Sequence, residues 1–420
     1  MLLTSTIPDL SVRLLAVRDL TERLAAPLSA EDQTAQSMTD ASPTKWHRAH
    51  TSWFFEEFVL GPAGGYRVFD PSYRYLFNSY YEAVGPRHPR PQRGLVTRPG
   101  IAEIARYRTY VQEELVRRLS VGALEDSSLD LVELGCHHEQ QHQELLLMDA
   151  KHLLAGHPFN PVYIDRAIEP DVPSPPLTWR RVDGGLVDIG HVGAVSSRAG
   201  HDGFAFDNEG PRHTVLLQPF EIAERNVTNA DWLEFMADGG YDKPELWLSD
   251  GWIRRQADDW HAPAYWQQDD DGQWTTFTLS GRRPVRAGEP VCHVSFYEAD
   301  AFAHWADARL PTEQEWETAA RSVADQRGEL LDPGRCHPNA ATTAMIGDVW
   351  QWTASAYLPY PGFKPAAGAV GEYNGKFMCD QHVLRGASAV TPGGHERLTY
   401  RNFFPAYARW AFSGLRLARG

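Results

Sequence analysis

Cysteine is scarce in this chain. Its 420 residues include four, at Cys136, Cys292, Cys336 and Cys379, and none form a C-x-x-C pair. That spacing excludes a cysteine zinc knuckle and a dense disulfide framework, and a reducing cytoplasm is the expected home. Positive charge is also in short supply, with 40 Lys and Arg against 55 Asp and Glu and a net charge of -15. Nucleic acid is therefore not an expected partner, because its binding needs clustered positive charge. An anionic membrane surface is disfavoured for the same reason. No apolar run approaches membrane-spanning length. The opening MLLTSTIPDLSVRLLAVRDL lacks the basic region and long apolar core of a signal peptide. No internal repeat is visible.

Aromatic residues are plentiful, with 14 Trp, 16 Tyr and 18 Phe. They concentrate around Trp46–Tyr81 and after Trp179, as in a core of short irregular strands or an aromatic-lined pocket. Hydrophobic content of 42% and charged content of 23% are ordinary for a globular protein, and the length suits two or three domains.

The first part reads helical. Leu10, Val12, Leu14, Leu15, Val17, Leu20 and Leu24 give an amphipathic segment ending near Pro27. A second helix is expected after Ser42-Pro43, with Pro near its first position, running through Trp46, His50 and Phe54 to Gly61. A third fits Ile101–Leu119 and a fourth Leu129–Leu154, which together suggest a four-helix bundle. Residues 70–100 are rich in Pro and Gly, which argues against regular structure there. They also hold Tyr73, Tyr75, Phe77, Tyr80 and Tyr81 with five arginines, a content that favours a packed functional loop. Residues 1–156 are thus expected to form a helical domain, 157–178 a proline-rich linker, and 179–420 an α+β domain. In that last domain strands are expected at Leu186–Ile189, Thr214–Leu217, Val291–Val294 and Val383–Leu384. Helices are expected at Asn229–Met236, Tyr297–Ala308 and Glu313–Ala320.

The most informative stretch is His138-Glu139-Gln140-Gln141-His142. Histidines at i and i+4 share one helix face, with Cβ atoms roughly 6 Å apart, which suits two ligands of one ion. The string also satisfies the H-E-x-x-H pattern of zinc proteases. However, the metzincin form needs Gly and His where Leu145 and Met148 stand. The thermolysin-like form needs a glutamate on a helix about 20 residues on, where the proline-rich linker lies. A third ligand on another bundle helix is the better solution, and His47-Arg48-Ala49-His50 offers two candidates. Three neutral imidazoles would suit Fe(II), Zn(II) or Cu(II).

Three segments taken in order resemble the ergothioneine-biosynthesis sulfoxide synthases: SPTKWHRAHTSWFFEEF, LFNSYYEAVGPRHPRPQRGLVTRP and LGCHHEQQHQELLLMD. The later FDNEGPRH, PVCHVSFYEADAFAHWADARLPTEQEWETAAR, GDVWQWTAS and FSGLRLAR extend the resemblance over nearly the whole chain. It implies a multidomain α and α+β fold. The N-terminal part would be a DinB-like four-helix bundle carrying the metal ligands. The C-terminal part would be a formylglycine-generating-enzyme/sulfatase-modifying domain, which has a C-type-lectin-like fold. That domain reads as a scaffold, because no closely spaced cysteine pair is present for the copper chemistry of its parent family.

The resemblance implies an Fe(II)- and O₂-dependent enzyme that joins a thiol to the imidazole C2 of hercynine (Nα-trimethylhistidine) as a sulfoxide. By motif position its iron ligands are His50, His138 and His142, leaving His47 and His137 as neighbours. Gln141 falls where the family hydrogen-bonds the substrate imidazole. Phe77-Asn78-Ser79-Tyr80-Tyr81-Glu82 matches the branch that uses cysteine, with Tyr80 or Tyr81 as the catalytic phenol. Arg87 and Arg90 match the arginines that hold the thiol substrate, and guanidinium suits a free carboxylate. Asp40 is a candidate for the ammonium group. Arg401-Asn402-Phe403-Phe404 matches the C-terminal substrate loop, without the acidic residue of the γ-glutamylcysteine branch. There Asn402 would meet the hercynine carboxylate region and Phe403 the trimethylammonium, with core packing the stronger expectation for Phe404.

The alternatives are a homologue that joins a selenosugar to hercynine, γ-glutamylcysteine as donor, a zinc-dependent DinB-like hydrolase or transferase, and a lectin-like binding module.

Overall fold

The computed structural model describes residues 7–166, 171–192, 203–366 and 369–420. The chain divides into two compact units. One comprises Met1–His157, Val192–Gly210 and Phe363–Lys376, and the other comprises Pro158–His191, Pro211–Gly362 and Phe377–Gly420.

The first unit is built on four long helices: α1 (Ile7–Ala25), α2 (Thr44–Phe55), α4 (Ile101–Ser120) and α5 (Asp126–Ala155). All lie where the apolar spacing predicts them. Pro43 is the residue that caps α2 and not its first helical position. Past Phe55 the helix widens into a π-turn, Glu56–Leu60. The Glu56 carboxylate accepts from the Tyr66 hydroxyl, the Phe69 N–H and the Tyr107 hydroxyl, so this turn anchors the chain that leaves it.

α2 lies against α5 and α4, and every one of its residues is buried, polar ones included. Its end approaches α5 so closely that a Cβ on Gly135 would stand 2.3 Å from the Phe55 ring. Charged side chains facing the core are paired around Glu139. Glu139, fully buried, accepts from Arg108 at 2.7 Å, Arg18 at 3.2 Å and Thr21 at 2.7 Å. Burial alone would raise the Glu139 pKa, but the two guanidinium groups hold it below its ordinary value. Residues 70–100 are less irregular than their composition suggests. A helical turn, α3 (Tyr73–Leu76), and a 3-10 turn at Arg90–Leu95 interrupt them, and Tyr73, Phe77, Asn78, Tyr81 and Arg93 are buried.

Among its described residues the second unit holds short strands and four α-helices. A four-stranded sheet runs β10 (Asn402–Pro405), β9 (Gln381–Arg385), β8 (Trp350–Ala356) and β11 (Ser413–Leu415), antiparallel except for the β8–β11 pair. Two three-stranded sheets and a two-stranded antiparallel sheet accompany it among the described residues. The helices α6 (Asn229–Ala237), α8 (Phe296–Trp305) and α9 (Glu313–Arg321) each start with a capping box, set by Thr228/Asp231, Ser295/Glu298 and Thr312/Glu315. α7 (Ser249–Ala257), β8 and the β5–β7 sheet (Trp266–Gln268, Trp274–Thr278, Gly281–Pro284) were not legible beforehand. The strand expected at Val291–Val294 does not form. His293 sits at φ 67°, which breaks the extended run, although Val291 and Val294 still bond to Val227 and Ser413.

Replacing Glu139 by alanine leaves Arg18 buried without its carboxylate and Arg108 with Glu22 alone. It should cost about 3–5 kcal/mol of stability, read by denaturant unfolding. A loss under about 1 kcal/mol would contradict the structural role of this residue.

Candidate metal centre

One ring nitrogen from each of His50, His138 and His142 lies within 4.8 Å of the others. His50 comes from α2, and the other two from a single face of α5. His50 Nε2 and His138 Nε2 are 3.2 Å apart. Trp46 and Trp53, one turn to either side on α2, stack on the His50 ring with centroids at 4.5 and 5.4 Å.

The hydrogen bonds fix where the protons sit. His50 Nδ1 lies 2.6 Å from the Phe77 carbonyl, which can only accept. Nδ1 therefore carries the hydrogen and Nε2 presents a lone pair. The Nδ1 of His142 is occupied by His47, at 2.8 Å, which leaves its Nε2 for other work. His138 Nδ1 is buried with no hydrogen-bond partner among the described residues.

Burial disfavours protonation of all three rings. It pushes His138 down to about 3, and it sets His50 and His142 well below the ordinary histidine value, helped by the neighbouring imidazoles. Three neutral imidazoles whose ring nitrogens converge are the donor set a divalent first-row metal takes. Among the described residues no carboxylate belongs to the cluster. Glu139, the base a protease would need, is engaged by Arg18 and Arg108.

The neighbours also have defined places. His137 accepts from Arg13 at 2.6 Å and stacks on Phe204, so it is not part of the cluster. Gln141 accepts a hydrogen bond from the Tyr373 hydroxyl. Tyr81 is fully buried, with Trp53 at 5.6 Å and Phe58 at 5.1 Å. Tyr80 stacks on Tyr81 and meets Tyr373 edge-on at 6.3 Å. Burial raises both phenols above their ordinary pKa. Each tyrosine therefore reaches the histidines through one intervening ring, Trp53 for Tyr81 and Tyr373 for Tyr80. Arg87 pairs with Glu82, and Arg90 donates to the backbone carbonyl of Asp40.

In the second unit, Phe403 stacks on Tyr357 at 4.1 Å and Phe404 packs edge-on against Trp410. Asn402 accepts from the Phe403 N–H.

Three residues at the centre escaped the sequence reading. Tyr373 lies 5.6 Å from the His138 ring, edge-on, and stacks on Phe206 at 5.4 Å. No local spacing signals it, because its segment returns to the helical unit from the far end of the chain. Arg93 is buried, its guanidinium 3.4 Å from the Trp46 ring centroid and bonded to Ser42 Oγ at 2.8 Å. It continues the spacing of Arg87 and Arg90, which could have singled it out. Asp149 sits two turns beyond His142 on the same face of α5 and contacts His47 at 3.1 Å. Its helical spacing was a usable signal.

Residues 178–344 and 334–420 match the model of the sulfatase-modifying factor enzyme 1-like domain family. The chain is 36% identical over 312 residues to the hercynine oxygenase of Mycolicibacterium smegmatis, covering 67% of this chain and 69% of that protein. It is 32% identical to the hercynine oxygenase of Mycobacterium tuberculosis, over 90% of this chain and 91% of that protein. Against the hercynine oxygenase of Mycolicibacterium thermoresistibile it is 30% identical, over 98% and 94%. This chain belongs to the hercynine oxygenase family. The second unit accordingly carries the sulfatase-modifying-factor fold, and the helical unit holds this family member's three-histidine candidate metal site. No described helix is long and apolar enough to cross a membrane.

The histidine environment fixes the sign of a pH effect. His138 folds with a pKa of about 3 against an ordinary 6.5, so between those values the unfolded chain binds a proton that the folded one refuses. Stability of the metal-free protein should be full above pH 6.5 and fall as pH drops towards 3. His50 and His142 act in the same direction. Denaturant midpoints at pH 7.5, 6.0 and 5.0 test this, and a flat profile would contradict the buried neutral triad.

Proposed function

We propose that this chain is an iron-dependent oxygenase that joins the sulfur of cysteine to the imidazole C2 of hercynine, in the biosynthesis of ergothioneine. Membership of the hercynine oxygenase family makes it an oxidoreductase. The observation that carries the proposal is the convergence of His50, His138 and His142 inside a chain so similar to hercynine oxygenases. In the overall reaction the azole C–H and the thiol S–H are lost and a C–S bond forms. Dioxygen is the four-electron oxidant, with one oxygen atom ending in the sulfoxide and the other in water. An Fe(II) ion held by the three imidazoles would supply the O₂ binding and electron transfer that no side chain offers.

The remaining roles belong to the protein's own groups. The raised pKa values of Tyr80 and Tyr81 keep both phenols protonated at neutral pH. Either is then a proton donor for the oxygen chemistry, which favours C–S bond formation over simple thiol oxidation. The Tyr373 hydroxyl fixes the Gln141 amide, the group proposed to orient the azole. Arg87 and Arg90 are proposed to take the cysteine carboxylate, and the buried Arg93 adds positive charge on the same loop. Asp40 is proposed for the cysteine ammonium. Asn402 and Phe403 keep their proposed roles towards the carboxylate and trimethylammonium of hercynine on the resemblance alone, and the half-buried Phe404 is proposed to serve packing, against Trp410. All four cysteines are free, which suits a reducing cytoplasm.

Purified protein supplied with Fe(II), O₂, hercynine and cysteine should yield hercynylcysteine sulfoxide by mass spectrometry. Replacing the catalytic tyrosine, by Tyr81→Phe or Tyr80→Phe, should divert turnover towards oxidised cysteine. Absence of the sulfoxide from iron-loaded protein would overturn the proposal, and selective turnover of a selenosugar in competition with cysteine would reassign the donor.

A further inference from the structure

The candidate ligand His142 does not end its own hydrogen bonding at the cluster. Its Nδ1 meets His47 Nδ1 at 2.8 Å, and His47 Nε2 meets Asp149 Oδ2 at 3.1 Å. The same carboxylate oxygen accepts from the Ser42 N–H at 2.7 Å. Ser42 Oγ in turn accepts from Arg93. His47 and Asp149 are 3% and 6% exposed, so the chain runs through the interior.

An ionised carboxylate only accepts, which puts a hydrogen on His47 Nε2. A neutral His47 then offers a lone pair at Nδ1, and that lone pair requires the hydrogen on His142 Nδ1. The His142 Nε2 lone pair is left as the one available to an ion. Each of the two helices thus carries both a ligand and a member of the chain: His50 and His47 on α2, His142 and Asp149 on α5.

We infer that Asp149 and His47 are positioning residues for the metal centre, fixing the tautomer and ring orientation of His142 so that its Nε2 faces the ion. This rests on the three-histidine reading of the centre. Hydrogen bonding from a carboxylate through a donor to a metal-bound imidazole raises ligand basicity and holds the ring, and its loss typically weakens metal binding by about 10- to 100-fold. A carboxylate placed here only to brace the helices would leave metal affinity and His142 tautomer unchanged.

The test uses Zn(II) as the probe on the full chain. With histidine ¹⁵N labelling, long-range ¹H–¹⁵N spectra of the zinc-loaded wild type should show His142 coordinated through Nε2 with Nδ1 protonated, and coordination through Nδ1 would overturn the inference. This measurement needs no variant to fold. Chelator competition should then show Zn(II) binding weakened about 10- to 100-fold in Asp149→Asn and in His47→Phe. Affinities within about two-fold of wild type in both folded variants would overturn it as well. His138→Ala separates the levels. Loss of binding in this variant with retention in the other two would remove the positioning role alone. Retention of binding in His138→Ala would overturn the metal reading and the inference with it.

Discussion

Histidine rings buried without their protons are the constraint on which the helical unit depends. An imidazole enclosed by packed helices cannot stay charged unless a partner stabilises it, so burial drives it neutral and leaves one nitrogen as a bare lone pair. Each such lone pair needs a donor or a cation. His50 satisfies its other nitrogen on the Phe77 carbonyl, and His142 does so on His47. What remains points at a common spot. The rest of the bundle is arranged so that this spot can be enclosed: α2 is buried on every side, and a glycine at 135 lets its end close on α5.

α5 works because its polar residues are segregated. His138 and His142 look one way, while Glu139 looks into a buried ionic network with Arg18 and Arg108 that extends to Glu22 and Arg48. That network removes the acidic group from the metal centre. H-E-x-x-H as a string is shared with zinc proteases, but the environment of its glutamate is not. A carboxylate tied to two guanidinium groups is depressed in pKa, and its oxygens are already engaged by Arg108, Arg18 and Thr21. The same pentapeptide is better described as H-x-x-Q-H, with Gln141 held by Tyr373 and the third histidine arriving from α2.

Much of this was readable from the chain. The helices followed from apolar spacing, and the i, i+4 histidine pair followed from the pentapeptide. The choice of His50 over His47 did not follow from spacing. It came with the resemblance, and it is compatible with the structure, in which His47 turns to Asp149 and meets His142 through its Nδ1. Tyr373 was invisible because long-range return of a segment leaves no periodic trace. The failed strand at Val291–Val294 has a local cause, the positive φ of His293, which no propensity of the neighbouring valines discloses. The short strands of the second unit were hard to read because their residues are polar and aromatic in nearly equal measure, as in Trp274–Thr278.

The central claim is that one metal ion binds among His50, His138 and His142. Iron-loaded crystals measured at the iron absorption edge test it most directly. The account predicts a single anomalous peak within bonding distance of one ring nitrogen from each of the three histidines. A peak at any other site, or iron retained in full by crystals of His138→Ala, would contradict it.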